Sequence, residues 1–193
     1  MALPIEPELL AYQPDWTVAQ YERMVATGIF HEADRVELLF GRIITQLPIT
    51  DRHSFCVQEL NYYMIRHFGD RFLGRQEQPV SLLSHSVPEP DYVLATPHPH
   101  RYRNRKPGAE DIQLIIEVAD ATLDRDRGAK ARLYGMAGIR EYWIINLVDD
   151  CLEVHTQPNI QAGGYGEVKV YHSGEQLAAG VLGVLPVNDI ITA

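Results

Sequence analysis

The segment that decides the fold is DIQLIIEVADATLDRDRGAKARLYGMAGIREYWIINL, which runs from Asp111 to Leu147. It begins with an almost continuous apolar run, Ile112 to Val118, which is typical of a short strand buried on both faces. Apolar residues at helical spacing follow from Ala129 to Ala137, and a second apolar run extends from Glu141 to Leu147. A strand, a helix and a strand with short connections predict a βαβ crossover and a parallel strand pair.

Two charged residues of this segment are costly in a purely structural role. Glu117 lies near the end of the first predicted strand, where an unpaired buried carboxylate loses its hydration. It is either solvated or arginine-paired at the strand end, or it is a metal ligand. Asp124 or Asp126 is the expected N-cap of the helix, which places Lys130 near the helix N-terminus, where the helix dipole favours anions. The position of Lys130 therefore indicates a negative group opposite it.

The length and composition of the chain predict one ordinary globular domain. At 193 residues the chain can bury a full core, and we predict a single domain over residues 1–193 with an irregular arm at residues 1–14. Hydrophobic residues make up 46% and charged residues 22%, as in soluble proteins. The net charge of −9 argues against a general nucleic-acid coat protein, but it does not exclude a local basic site.

Cysteine usage and hydropathy predict the compartment. Cys56, in a helical pattern, and Cys151, in a predicted turn, form no disulfide or metal-binding pattern. We therefore expect reduced thiols and a cytoplasmic protein. No apolar run is long enough to cross a membrane and the N-terminus lacks a signal-peptide layout, so we expect no membrane partner.

The elements outside the central segment follow from caps, turn residues and apolar periodicity. Glu153 and His155 are expected to be surface residues of their strand. The predicted elements are a helix from Val18 to Thr27, one bent strand or two strands within Arg35 to Leu47, a helix from Thr50 or Asp51 to His67, a strand or hairpin from Arg71 to Leu83, strands at Tyr92 to Ala95, Leu152 to Thr156 and Tyr165 to Tyr171, and a last strand within Leu177 to Ile191.

Two further acids lie in or beside predicted strands. Asp91 directly precedes the strand that starts at Tyr92, and Glu37 lies in the first strand region. The ordinary interpretation of Asp91 is a turn residue after Pro90, and that of Glu37 is a surface strand residue. Carboxylates on neighbouring strands are also the usual oxygen ligands of Mg²⁺, and a nearby lysine can neutralise developing negative charge. Many such triples occur in any chain of this size, so spacing alone is weak evidence.

The most basic segment is HPHRYRNRKPG, from His98 to Gly108, which we call the basic loop. It has no apolar periodicity and connects the strand after Asp91 to the strand that carries Glu117. A run of charges is usually a solvated face. Arginine and tyrosine together also suit phosphate contact and base stacking, and we expect this loop to border the acids. The predicted nucleic-acid-binding residues are Arg101, Tyr102, Arg103, Arg105 and Lys106.

Several segments resemble one protein family. They are PEPDYVLA, the central segment, WTVAQYERM, RVELLFGRI, the helix with His53, and the region from Glu153 to Pro158. Together they make nearly the whole chain similar to the Uma two family of restriction-endonuclease-like proteins. The resemblance implies the restriction-endonuclease-like α/β fold of the PD-(D/E)XK superfamily, with a mixed central β-sheet and flanking helices. It also implies a Mg²⁺-dependent phosphodiesterase core, for which Mn²⁺ can substitute.

The resemblance also assigns residues to the motif of the superfamily. Asp91 matches the motif aspartate and Glu117 the second acid. The usual motif lysine, two residues further on, is replaced by Ala119, and the resemblance places the lysine on the following helix at Lys130. Glu37 matches an acid of the first strand in the family and is expected to be an extra ligand.

The implied activity is hydrolysis of DNA phosphodiester bonds by an endonuclease. Asp91, Glu117 and the backbone carbonyl of Val118 are the implied metal ligands. The alternative is a catalytically inactive, nuclease-like module that binds nucleic acid or protein, which Ala119 favours and the two intact acids oppose. A third interpretation is a purely structural acid pair. Cutting both strands needs two sites related by a two-fold axis, so a homodimer is expected.

Overall fold

The computed structural model describes residues 15–31 and 34–191, and the predicted N-terminal arm lies outside these residues. In chain order the elements are α1 (Val18–Ala26), β1 (Val36–Leu39), β2 (Arg42–Thr45), α2 (Asp51–Phe68), β3 (Leu73–Gln76), β4 (Tyr92–Ala95), β5 (Ile112–Ala119), α3 (Leu123–Arg125), a π-helical turn (Asp126–Lys130), α4 (Ala131–Met136), β6 (Glu141–Asn146), β7 (Cys151–Pro158), β8 (Tyr165–Tyr171), β9 (Gln176–Ala179) and β10 (Gly183–Pro186).

A six-stranded mixed sheet with the order β3-β4-β5-β6-β7-β8 forms the centre of the fold. Strands β5 and β6 are parallel, and every other neighbouring pair in this sheet is antiparallel. The predicted crossover and the predicted fold class, a mixed central sheet with flanking helices, are confirmed. Strands β1 and β2 form a separate hairpin, as do β9 and β10, so the predicted last strand is a hairpin outside the main sheet.

Both faces of the sheet are covered, which explains why β5 reads as a continuous apolar run. On one face, Cys56, Leu60 and Met64 of α2 pack in the same core cluster as Ile116 of β5. On the other face, Leu133 and other residues of the crossover helix pack with β4, β5 and β6. Of the eight residues of β5, all except Gln113 are buried. A strand between two layers has no wet face and therefore shows no polar alternation.

The two predicted N-caps of the early helices are confirmed. Thr17 and Gln20 form a capping box at the start of α1, and the Thr50 side chain caps α2 by accepting from the backbone N–H of His53. None of the helices among the described residues has the length and apolar character that a membrane crossing requires.

Three local predictions were wrong. Only Leu73–Gln76 of the region from Arg71 to Leu83 is a strand, because Glu77 adopts a left-handed φ of 47° that turns the chain away from the sheet. Cys151 begins β7 and is buried, not in a turn; both cysteines are free. Glu153 and His155 are buried, because both lie on the face of β7 against which α4 and the turn before it pack.

Candidate active site

The antiparallel pairing of β4 with β5 brings Asp91 and Glu117 together. Tyr92 lies opposite Ile116, so Asp91, one residue earlier, comes opposite Glu117, one residue later. The backbone N–H of Asp91 donates to Glu117 Oε2 at 3.4 Å, and that of Val118 donates to Asp91 Oδ2 at 2.7 Å. The two carboxyl groups therefore converge on one face at the edge where β4 begins and β5 ends.

Lys130 reaches Glu117 from the crossover helix. Its Nζ lies 2.8 Å from Glu117 Oε1, and the hydroxyl of Tyr134 donates to the same oxygen at 2.6 Å. The lysine is the last residue of the π-helical turn, and such wider turns inside helices frequently occur at functional sites. Ala119 lies two residues after Glu117 and so shares its face of β5. A cation is thus supplied on this face by the helix, where the strand has alanine.

Glu37 enters the same group from the β1–β2 hairpin. Leu38 forms an antiparallel bridge with Val87, which places β1 beside the segment that leads into Asp91. The backbone N–H of Glu89 donates to Glu37 Oε2 at 3.2 Å, and Lys130 Nζ lies 3.9 Å from that oxygen. Glu37 is 1% exposed, so it is not a surface strand residue.

Two residues without a predicted site role also face the group. Asp126, expected only as a helix cap, is inside the helix; it accepts from the Thr122 hydroxyl at 2.6 Å and lies 3.9 Å from Lys130 Nζ. The helix begins at Leu123, so the predicted cap was wrong. The i,i+4 spacing of Asp126 and Lys130 was the sequence signal for their proximity. His53 on α2 places Nε2 3.2 Å from Asp91 Oδ1.

We call Glu37, Asp91, Glu117 and Asp126 the acid cluster. Burial raises the pKa of Glu117 well above its ordinary value; Lys130 opposes this shift, and the neighbouring acids add to it. Burial alone would lower the pKa of Lys130, but the surrounding carboxylates raise it instead. Burial opposes the lowering of the Asp91 pKa, which the hydrogen bond and charge of His53 produce. Besides Lys130, two other basic groups face these acids: Arg125 lies 3.6 Å from Glu37, and His53 lies 3.2 Å from Asp91.

A cavity of about 50 Å³ opens onto the cluster and is lined by all four acids and Lys130. Glu37 Oε1 and Asp126 Oδ1 are buried oxygens without a hydrogen-bond partner; Arg125 approaches Glu37 Oε1 only to 3.6 Å. An all-carboxylate oxygen set with unpartnered atoms fits a hard divalent ion such as Mg²⁺. Within the described residues no group of three His, Cys, Asp or Glu side chains is already placed around a metal position. The Lys130 amine, in contact with three of the acids, lies in that space.

The basic loop does not border the acids in the way that the sequence predicted. It connects the end of β4 to the start of β5, whereas Asp91 and Glu117 lie at the opposite end of these two antiparallel strands. A connection between paired antiparallel strands lies by geometry at one end only. The last part of the loop instead contacts the segment after β3, since the backbone N–H of Ser81 donates to the carbonyl of Pro107.

The side chains of the basic loop are only partly free. Tyr102 is 5% exposed and its hydroxyl donates to the Thr96 carbonyl at 2.8 Å, so its ring is part of the core and is not presented to a base. Arg105 pairs with Asp111, and Lys106 pairs with Glu22. The loop's other two cations are Arg101 and Arg103. Among the described residues, no carboxylate lies within ion-pair distance of either.

Comparisons with known proteins agree with this architecture. The Uma2 (Uma two) family model, described as "Putative restriction endonuclease", matches residues 7–185. Among solved structures, "a putative nuclease belonging to DUF820" from Anabaena variabilis ATCC 29413 superposes with a TM-score of 0.67 at 16% identity, over 91% of this chain and 97% of that chain. At this identity the likeness shows the fold. No curated protein matched the chain.

Proposed function

Because the chain belongs to the Uma2 family, and because three buried acids and the partly buried Asp91 surround one buried lysine, we propose that it is a Mg²⁺-dependent endonuclease that hydrolyses DNA phosphodiester bonds. The observation that carries the proposal is the contact of Lys130 with Glu117 on the face that Glu117 shares with Asp91. Two acids and an amine in one small cavity are the groups that phosphodiester hydrolysis needs.

Asp91 and Glu117 would hold the metal ion, with the carbonyl of Val118 as a further ligand and Glu37 as a direct or water-mediated one. A bound Mg²⁺ supplies Lewis-acid chemistry that activates water and offsets charge on the scissile phosphate. Mn²⁺ takes the same oxygen ligands. The Oε1 atom of Glu37 supports this assignment, because it is buried without a hydrogen bond and Arg125 comes no closer than 3.6 Å, which leaves the oxygen available to a metal ion.

Lys130 would orient the attacking water or screen the scissile phosphate. Its raised pKa keeps the ammonium charged at neutral pH, and the carboxylates that raise this pKa also hold the side chain in one place. At 6% exposure the ammonium acts in a poorly hydrated site, where electrostatic stabilisation of developing charge is stronger than in water.

The competing function is a nuclease-like binding module that does not hydrolyse its ligand, and the observation in its favour is Ala119 at the motif lysine position. The contact between Lys130 and Glu117 weakens this alternative, because it supplies the amine from the helix. Wild-type protein that binds Mn²⁺ and DNA but never cuts DNA would establish the alternative.

A plasmid assay tests the proposal. Wild-type protein with Mg²⁺ or Mn²⁺ should nick or linearise supercoiled plasmid, and Glu117→Ala should reduce the rate by at least about 1,000-fold, because it removes a metal ligand. The matched control is Glu153→Gln, which changes a buried glutamate of the same sheet outside the acid cluster. At a temperature where it remains folded, this variant should cut at about the wild-type rate. Cleavage that survives Glu117→Ala would rule out the site.

Calorimetric titration with Mn²⁺ provides a readout that does not depend on cleavage. Binding should be lost in Asp91→Asn and in Glu117→Gln but kept in Glu153→Gln. Equal Mn²⁺ affinity in all four proteins would show that the ion binds elsewhere. Sedimentation analysis of the same samples tests the proposed homodimer, which would supply two sites for the two strands of a duplex.

A further inference from the structure

Arg75, on the edge strand β3, is a half-buried cation without a counter-charge. Its Nε is buried and has no hydrogen-bond partner, and its guanidinium reaches the Pro79 carbonyl only at 3.5 Å. The group lies over the ring of Tyr102, with 5.8 Å from its central carbon to the ring centroid. In the described ranges no carboxylate lies within ion-pair distance of it. Burial lowers the pKa of the guanidinium, which means that keeping it charged in this site costs free energy. A bound anion would offset that cost.

Arg75 lines a solvent-open pocket with three more cations. The pocket has a volume of about 520 Å³. Among the described residues, the only acid that lines it is Glu22, which is paired with Lys106. A concentration of positive charge in a chain of net charge −9 is a local feature that attracts an anion despite the overall charge. We call this the basic pocket; its polar lining residues include Arg75, Ser81, Arg103, Asn104, Arg105 and Lys106.

The basic pocket is connected to the acid cluster along the surface. It shares Glu22 and Lys106 with an apolar groove of about 520 Å³ that contains Tyr21. This groove in turn shares Arg35 and Glu89 with the cavity at the acid cluster. Acid cavity, apolar groove and basic pocket are therefore consecutive along one path.

We propose that the basic pocket is a second phosphate site, in which Arg75 and Arg103 bind a backbone phosphate of the nucleic-acid strand other than the one that is cut. That the bound anion is part of a nucleic-acid strand rests on the proposed function. That the pocket binds an anion rests on its own arginines. Arg75 supplies a guanidinium that is already positioned by Tyr102, and Arg103 supplies an exposed cation. Arg105 and Lys106 are paired with Asp111 and Glu22. They therefore add to the positive potential of the pocket more than they contact the phosphate directly.

The test is the salt dependence of DNA binding, measured in EDTA so that no strand is cut. Fluorescence anisotropy of a labelled 12-nucleotide strand and its duplex gives Kd at several salt concentrations. Arg75→Gln and Arg103→Gln should each weaken binding by about tenfold at low salt and reduce the slope of log K against log [salt] by about 0.7–0.9, the value for one lost phosphate contact. Arg140→Gln, the same change at an exposed arginine outside the pocket, should alter neither quantity.

Each outcome decides for or against the proposal. Unchanged Kd and salt slope in both pocket variants would overturn it. Inorganic phosphate that binds wild-type protein by calorimetry, but not Arg75→Gln, while DNA affinity stays equal, would assign the pocket to a free anion and also overturn it. If Arg75→Gln is unfolded by circular dichroism, Arg103→Gln alone decides, because its side chain is exposed. Loss of DNA binding in the pocket variants of a protein that never cuts DNA supports the pocket while refuting hydrolysis.

Discussion

The π-helical turn directs two cations to two buried glutamates of the same sheet, and the two pairs differ in how completely their oxygen atoms are satisfied. Arg127 donates to Glu153 through Nε, at 3.1 and 3.0 Å, and through a terminal nitrogen at 2.6 Å. Asn146 adds a third donor at 2.9 Å. Neither carboxylate oxygen of Glu153 lacks a partner. Burial opposes the lowering of its pKa, which Arg127 and Asn146 produce.

The second pair is open by comparison. Lys130 contacts Glu117 at 2.8 Å, but two further acids lie 3.9 Å from the same amine. Two buried oxygens of the acid cluster have no hydrogen-bond partner, and the pKa of Glu117 is raised. The same turn thus forms one closed ion pair and one whose neighbouring acids keep oxygens without a hydrogen bond. The difference indicates that the Glu153 pair stabilises the fold, and it supports our proposal that the acid cluster takes up an external cation.

The largest expected effect separates the two cations of the turn. Lys130→Met should reduce the cleavage rate by about 100-fold, because it removes the amine that we propose acts beside the scissile phosphate. The matched change Arg127→Met should leave the cleavage rate of folded protein within about twofold and lower the free energy of unfolding by about 1–3 kcal/mol, since the arginine is partly exposed and solvent screens the pair. Plasmid nicking and urea denaturation measure the two quantities. Equal loss of cleavage in both variants would contradict the division of roles.

Two smaller effects on the free energy of unfolding, opposite in sign to each other, are expected when one acid of each group is replaced by its amide. Burial raises the pKa of Asp126, so its ionised form is disfavoured, and Asp126→Asn should raise the free energy of unfolding by about 1 kcal/mol. The ionised form of Glu153 is favoured, and Glu153→Gln should lower that energy by about 1–3 kcal/mol. Both values are measured by urea denaturation at pH 7 in EDTA. Changes of the same sign would show that the two groups are not electrostatically different.

The smallest expected effect is a pH dependence at the closed pair. Burial lowers the pKa of His155, although Glu153, 3.8 Å away, opposes this shift. The unfolded chain therefore takes up the proton first, and the free energy of unfolding falls as the pH drops below about 6.5. His155→Phe should remove up to about 1 kcal/mol of the loss between pH 7 and 5.5.

Thermal or urea unfolding at both pH values measures this loss. The exposed residue His172 provides the control, since His172→Gln should keep the wild-type pH profile. An unchanged profile in His155→Phe would show that His155 does not contribute.

The sequence was most informative where neighbouring residues determine the structure. The capping box at Thr17, the apolar run that became β5 and the helical spacing of the crossover all depend on side chains a few positions apart. The Glu117 carboxylate was conspicuous for the same reason, because it interrupts an apolar run. Arg75 carried no such signal, since one arginine in a short edge strand is common.

The sequence alone determined the parallel crossover and the presence of a costly acid in its first strand, because both follow from local periodicity. Only the tertiary structure decided which charges meet. Asp91 and Glu117 are 26 positions apart, Glu37 and Glu89 are 52 apart, and strand register and hairpin placement bring each pair into contact. Likewise, Glu153 is buried because the crossover segment packs on its face of the sheet, and Tyr102 is buried because it packs with the core residues of β4 and β5. The distance of the basic loop from the acids depends on which strand end the loop leaves. Pairing across the sheet sets these relations, and no short stretch of sequence encodes them.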